Sequence, residues 1–265
     1  MASKRCVQWL ICAAACITSV LGHAQDPNKK RVKKTNWQSH YQPAQFDQMP
    51  LRVMPPIQIE SGKKYPLILS LHGAGGTGTD NNKQLRDWNK QLALPQRRKA
   101  FPCYVIAPQA QGLWNNVHLN KIQSYIKTLP SVDMNRVYIM GHSMGGHGTY
   151  IFIQLDPDYF AAAAPSAGSG LRRTEDFINA SKIKDIPIWA FHGDKDKVCP
   201  IEKDRDVFKE VKKLGGVMKL TTWANGTHAV SGKMIPGDKN GTTESSSARC
   251  NDEPDFMTWL FSNTK

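Results

Sequence analysis

The sequence predicts an α/β domain: a mostly parallel central sheet with helices on both faces. Three observations predict it. From about residue 48 onward, short apolar runs alternate with amphipathic stretches of helical period, the pattern of successive strand-helix units. The 265 residues, 40% of them hydrophobic, suffice for one well-buried core and show neither an internal repeat nor a second core. Finally, Gly141-His142-Ser143-Met144-Gly145 follows the apolar run Arg136-Val137-Tyr138-Ile139-Met140, which places a serine where a strand turns sharply into a helix.

Taken in order, the strand-like runs are 51–54, 67–71, 104–107, 136–140, 160–164, 188–191 and 218–223. Helices are expected between them. One covers 81–92 behind Asp80 as N-cap, and one covers 117–129, where Ile122, Ile126 and Leu129 share a face. Another runs over 146–155, with Ile151 and Leu155 four residues apart, and a fourth over 201–214, stopped by Gly215-Gly216. A last helix over 254–261 carries Pro254 in its first turn. Residues 231–249 are rich in Gly, Ser, Thr and Lys and read as a long surface loop.

The N-terminal part reads differently. Lys4 and Arg5 precede the apolar stretch 6–21, and Gly22-His23-Ala24 supplies small residues at the cleavage-determining positions. Residues 1–24 are therefore expected to be a secretory signal peptide, 25–48 a basic polar extension and 49–265 the main domain. The expected location is secreted or periplasmic, without stable membrane insertion once the leader is gone, because the apolar stretch is short for a span and contains Thr18 and Ser19. Cys6, Cys12 and Cys16 leave with the leader. Of the rest, Cys103 reads as a small buried hydrophobe, whereas Cys199 and Cys250 are the pair an oxidising compartment could bridge. The formal charge is +13, and part of the excess sits in Lys29-Lys30-Arg31-Val32-Lys33-Lys34. Such a run is a solvated linker or a tail that holds a polyanion. No nucleic-acid-binding fold accompanies it, so no nucleic-acid partner is expected.

A serine hydroxyl attacks only when a base takes its proton, and the base needs a carboxylate to fix its tautomer. After a strand-serine-helix elbow the chain order is nucleophile, acid, histidine. Of eight histidines only His192 and His228 come late enough. The strand 188–191 leads into His192-Gly193-Asp194-Lys195-Asp196, a turn that offers the acid, which leaves His228 as base. Asp196 lies further round that turn than Asp194 and is the better placed to reach His228; Asp194 is the alternative. A tetrahedral oxyanion also needs preorganised N–H donors. Met144 supplies one from the elbow, and the glycine-rich His72-Gly73-Ala74-Gly75-Gly76 supplies the other through Ala74, with Gly73 the alternative. Trp114, following the strand that ends at Ala107, is a candidate wall for substrate, and His142 beside the serine is a further substrate contact.

Two other chemistries fit poorly. Gly73, Gly75 and Gly78 satisfy G-x-G-x-x-G, but Gln96-Arg97-Arg98-Lys99 stands where a dinucleotide site needs an acid. Neither H-E-x-x-H nor C-x-x-C occurs, and His142 and His147 are five apart across the elbow, so no metal is expected. The chemistry needs no cofactor.

Several blocks together resemble one family: Leu71-His72-Gly73-Ala74-Gly75-Gly76 with Thr79-Asp80-Asn81, Phe101-Pro102-Cys103 leading to Ala107-Pro108-Gln109, Gly141 through Gly146, and Pro187-Ile188-Trp189-Ala190-Phe191-His192-Gly193. They resemble the secreted prolyl-oligopeptidase-like "predicted peptidases", single-domain α/β-hydrolases akin to phospholipase/carboxylesterases and to feruloyl and acetyl-xylan esterases. The likeness covers about 49–262. It implies an α/β-hydrolase fold with no large cap domain, Ser143 as nucleophile, Asp196 as acid and His228 as base. It also implies esterase behaviour, on small-molecule or polysaccharide-linked esters, rather than peptide cleavage. A serine peptidase and a non-catalytic polyanion binder are the rival readings. The family commonly follows its histidine with Asp and an aromatic residue; this chain has His228-Ala229-Val230.

Overall fold

In the computed structural model, which describes residues 36–171 and 176–265, nine strands form a single sheet. They are β1 (Gln42–Phe46), β2 (Met49–Met54), β3 (Tyr65–Leu71), β4 (Tyr104–Pro108), β5 (Val132–His142), β6 (Ala162–Ser166), β7 (Ile188–Gly193), β8 (Met218–Trp223) and β9 (Gly241–Ser245). Their spatial order is β1-β2-β4-β3-β5-β6-β7-β8-β9. The five pairings from β4-β3 through β7-β8 are parallel, and β1, β2 and β9 add antiparallel edges. Central strands buried on both faces read as continuous apolar runs, and Tyr-Pro-Leu-Ile-Leu-Ser-Leu of β3 is buried throughout.

Alternation divides each strand between two cores. Leu67, Leu69 and Leu71 of β3 face a cluster with Ile122 and Ile126 of α3 (Asn116–Ile126), Phe152 and Ile153 of α4 (Met144–Leu155), and Phe208 and Val211 of α6 (Ile201–Lys213). Ile68 faces the other cluster, with Trp88 and Leu92 of α1 (Asp87–Leu92) and Trp259 and Leu260 of α7 (Phe256–Ser262). Two further short helices, α2 (Pro95–Ala100) and α5 (Ala180–Ile183), complete the set. None of the described helices is long and apolar enough to cross a membrane.

The expected leader and the basic run 29–34 lie outside the described residues. Three expectations need correction. The polar extension does not last to residue 48. A 3-10 turn at Trp37–His40 and strand β1 already belong to the fold, and the buried Tyr41 hydroxyl donates to Asn89 O at 2.8 Å. The stretch 231–249 is not loop throughout. It begins in the 3-10 segment His228–Lys233, buries Met234 and Ile235, and contains β9, whose mostly exposed Gly-Thr-Thr-Glu-Ser pairs with β8 through the backbone ladder and a 2.7 Å hydrogen bond between the Thr221 and Thr243 hydroxyls. Cys199 and Cys250 are not bridged. Cys250 lies against Met218, the first residue of β8, whereas Cys199 follows the far end of β7, beside the acid turn. A six-residue strand at about 3.3 Å per residue separates those levels by more than the ~7 Å that a disulfide spans between α-carbons.

Candidate active site

The C-terminal ends of β3, β5, β7 and β8 bring the candidate residues to one edge of the sheet. Ser143 sits between β5 and α4 with φ 57° and ψ −121°, a conformation unusual for a residue with a side chain. Its amide donates to Ser166 O at 2.9 Å, which fixes the elbow to the end of β6. The sharpness of the turn rests on Gly145: a β-carbon there would stand 2.0 Å from Leu71 O of β3. The result is a half-exposed hydroxyl over a buried helix start.

Asp196 and His228 reach it through two loops in backbone contact. Lys195 N donates to Gly226 O at 2.8 Å and Asp194 N to Trp223 O at 3.2 Å, and a β-carbon on Gly193 would meet Gly226 O at 2.3 Å. This close approach sets Asp196 beside His228. Asp196 Oδ2 accepts from His228 Nδ1 at 2.7 Å, which leaves His228 Nε2 to accept from the Ser143 hydroxyl at 2.9 Å. Asp196 Oδ1 accepts from the Val198 and Cys199 amides at 2.8 and 2.9 Å. Burial opposes ionisation of Asp196, but hydrogen bonds from His192, His228 and those two amides hold its carboxyl well below the usual carboxylate range. Asp194, the alternative acid, makes no such contact with His228, and its Oδ1 is buried without a partner among the described residues.

The glycine-rich loop lies against the serine. A β-carbon on Gly73 would be 3.4 Å from Ser143 Cβ and 3.9 Å from its Oγ. Met144 and Ala74 stand at the first positions of α4 and of the 3-10 turn Ala74–Gly76, where an amide has no intrahelical acceptor. His72, unassigned in the sequence, fixes this loop: its buried ring donates from Nδ1 to Gly73 O at 2.8 Å and accepts at Nε2 from Ala110 N at 3.0 Å. That geometry requires the neutral ring. Burial pushes its pKa down to about 4, with the Gly73 bond opposing and Arg86 assisting.

Trp114 and His142 are placed differently from the sequence expectation. Trp114 is 2% exposed; its indole N–H donates to His72 O at 3.2 Å and its ring packs on His72 and Phe152 at 4.9 and 6.0 Å. It therefore supports the glycine-rich loop from the core and offers substrate no wall. His142 is also buried, hydrogen-bonded through Nδ1 to Ser166 Oγ at 3.0 Å, with its ring 4.8 Å from that of His228. Burial first, and then the neighbouring His228, push its pKa down to about 3, so it lies against His228 as a neutral ring. Among the described residues no group of His, Cys, Asp and Glu has the arrangement of a metal site.

Comparison with known proteins places the chain. A crystal structure of a thermostable esterase superposes with a TM-score of 0.67 at 30% identity, covering 86% of this chain and 64% of the other. An acylaminoacyl peptidase in complex with Z-Gly-Gly-Phe-chloromethyl ketone superposes at 0.55 with 18% identity, over 72% of this chain and 38% of the other, a likeness of fold alone. The uncharacterized peptidase YuxL of Bacillus subtilis is 23% identical over 68% of this chain, and the bifunctional acetylxylan esterase/xylanase XynS20E of Neocallimastix patriciarum 27% over 56%. The chain spans only 33% and 22% of those two proteins' own length. The sequence profile of the dienelactone hydrolase family matches residues 106–260, a span that holds β5 with its serine elbow, the acid turn and the histidine loop. The chain belongs to the dienelactone hydrolase family, within the peptidase- and carboxylesterase-like α/β-hydrolases.

Proposed function

We propose that the protein is an exported serine carboxylic-ester hydrolase working through an acyl-enzyme. The observation that carries this reading is the unbroken chain of hydrogen bonds from Ser143 Oγ through His228 to Asp196, at 2.9 and 2.7 Å, beside the Gly73-Ala74 loop. Ser143 Oγ adds to the ester carbonyl carbon as His228 Nε2 takes its proton, and Asp196 stabilises the imidazolium. The Met144 and Ala74 amides receive the developing oxyanion, each donor contributing about 3–4 kcal/mol in the transition state. His228 returns the proton to the departing alcohol. Water then repeats the sequence on the acyl-enzyme and releases the acid.

The relatives include an esterase and an acetylxylan esterase/xylanase, which favours small acyl groups, among them those carried on polysaccharides. The test is a panel of esters of graded acyl size, including feruloyl esters and acetylated sugars, with matched anilides, against wild type and Ser143→Ala. Esters are expected to turn over far faster than anilides, and Ser143→Ala to lose about four to six orders of magnitude in kcat. Anilides cleaved as fast as esters would make the protein a peptidase, and a variant as active as wild type would remove Ser143 from the mechanism. Export rests on Lys4, Arg5 and the apolar stretch 6–21. Protein recovered outside the cytoplasm with its N-terminus near Gln25 agrees with it; cytoplasmic protein beginning at Met1 contradicts it.

A further inference from the structure

Asp196 faces two histidines. The same Oδ2 that accepts from His228 lies 3.3 Å from Nε2 of His192, the other late histidine of the sequence, which the catalytic chain leaves unused. His192, on β7, has no exposed surface. Its Nε2 is 2.8 Å from Cys199 O and its Nδ1 is 2.5 Å from Oδ2 of Asp204 on α6. Asp204 is itself buried and accepts at Oδ1 from the Tyr150 hydroxyl of α4 at 3.1 Å. Proton accounting constrains this group. A carbonyl oxygen and an ionised carboxylate only accept, so Nε2 carries a hydrogen, and a second proton lies between Nδ1 and Asp204.

We propose that His192 is a positioning residue for the triad: clamped by Asp204 and Tyr150, it is protonated on both nitrogens, and its charge, 3.3 Å from Asp196 Oδ2, holds the acid ionised and tempers its pull on the proton of His228. The inference rests on the ester-hydrolase reading for its kinetic consequence, not for its protonation state.

The surrounding charges support it. Burial alone disfavours a charged imidazole, but Asp204, with hydrogen bonds to both carboxylates and to Cys199 O, raises the His192 pKa above its ordinary value. Cys199, Tyr150 and His142, which face this cluster, add no charge to it. Burial and the two carboxylates push the Cys199 thiol up to about 12, burial and Asp204 raise Tyr150 well above its usual value, and His142 of β5 is neutral. Two carboxylates and one imidazolium leave one negative charge, the counter-charge that an imidazolium forming on His228 needs. Without the charge on His192, two buried carboxylates would draw a proton onto His228 and leave the base occupied.

The test is the pH profile of kcat/KM on an ester for wild type and His192→Gln, a variant that keeps an N–H donor and loses the charge. The apparent pKa of the acid limb is expected to rise by about 0.5–1 unit in His192→Gln. A limb that stays in place or moves down overturns the proposal even if kcat falls, because a purely structural role lowers the rate without moving the limb. Should His192→Gln not fold, nitrogen-15 and proton resonances of histidine-labelled wild type decide. An imidazole protonated on both nitrogens from pH 5 to 8 and assigned to His192 supports the proposal; a neutral His192, or one titrating in that range, overturns it. These resonances are read without substrate, so they separate failure of this inference from failure of the ester-hydrolase reading, which would show as no ester turnover in wild type.

Discussion

Ser143 and Gly145 carry the most demanding requirements. The serine is held at positive φ because β5 must reverse into α4 beneath it, and Gly145 passes so close to Leu71 O that no side chain fits. Gly145→Ala is therefore expected to destabilise the fold by about 3 kcal/mol or more, read as a lowered urea midpoint; an unchanged midpoint would show that the elbow relaxes. That Ser143, Asp196 and His228 would meet was legible because chain order and strand position constrain them tightly: only two histidines are late enough, and Asp196 lies further round its turn than Asp194. Trp114 and His142 were legible only as residues near the right sheet edge. Sequence position does not say whether a ring there turns toward substrate or toward the core, and for Trp114 that is decided by the His72 carbonyl that accepts its N–H. His72 and His192 gave no signal of their own, because their roles depend on partners 38 and 12 residues distant in the chain, Ala110 and Asp204.

Among the elements, the seven inner strands announced themselves as largely apolar runs, since each lends side chains to both cores. The edge strands β1 and β9 did not. Gln-Pro-Ala-Gln-Phe and Gly-Thr-Thr-Glu-Ser bury little, and their place is set mainly by backbone ladder pairing, joined in β9 by the bond between the Thr221 and Thr243 hydroxyls. The first helix is shorter than its pattern suggested, beginning at Asp87 instead of residue 81. Asp80 Oδ1 accepts from the Asn82 and Lys83 amides and caps a turn there, and Asn81 at φ 51° breaks the helical path. The separation of Cys199 and Cys250 along β8 gives a direct expectation at this scale. Cys103, Cys199 and Cys250 should all react when the unreduced protein is titrated with a thiol reagent in denaturant; recovery of a peptide linking Cys199 to Cys250 would contradict the observed strand register.

For the molecule as a whole, the buried charge cluster at the sheet edge links stability to pH. Asp196 is held below the ordinary carboxylate range, so its contribution is present above pH ~4 and is lost as pH falls through its lower folded value. His192 is raised, so its contribution is complete below pH ~6.5 and is lost as pH rises through its higher folded value. The difference in urea midpoint between wild type and His192→Gln should therefore be larger at pH 6 than at pH 10, and a difference that does not change with pH would contradict a charged His192. Nine strands, two cores and the contact between the acid turn and the histidine loop converge on one arrangement among the described residues, a Ser143 hydroxyl hydrogen-bonded to His228, on which the proposed chemistry rests. The most direct measurement is reaction of the folded protein with a fluorophosphonate, followed by mass spectrometry of its peptides. The account predicts a single stoichiometric adduct on Ser143 that is absent after denaturation and absent in His228→Ala. A folded protein that takes up no probe, or takes it up on another residue, would contradict it.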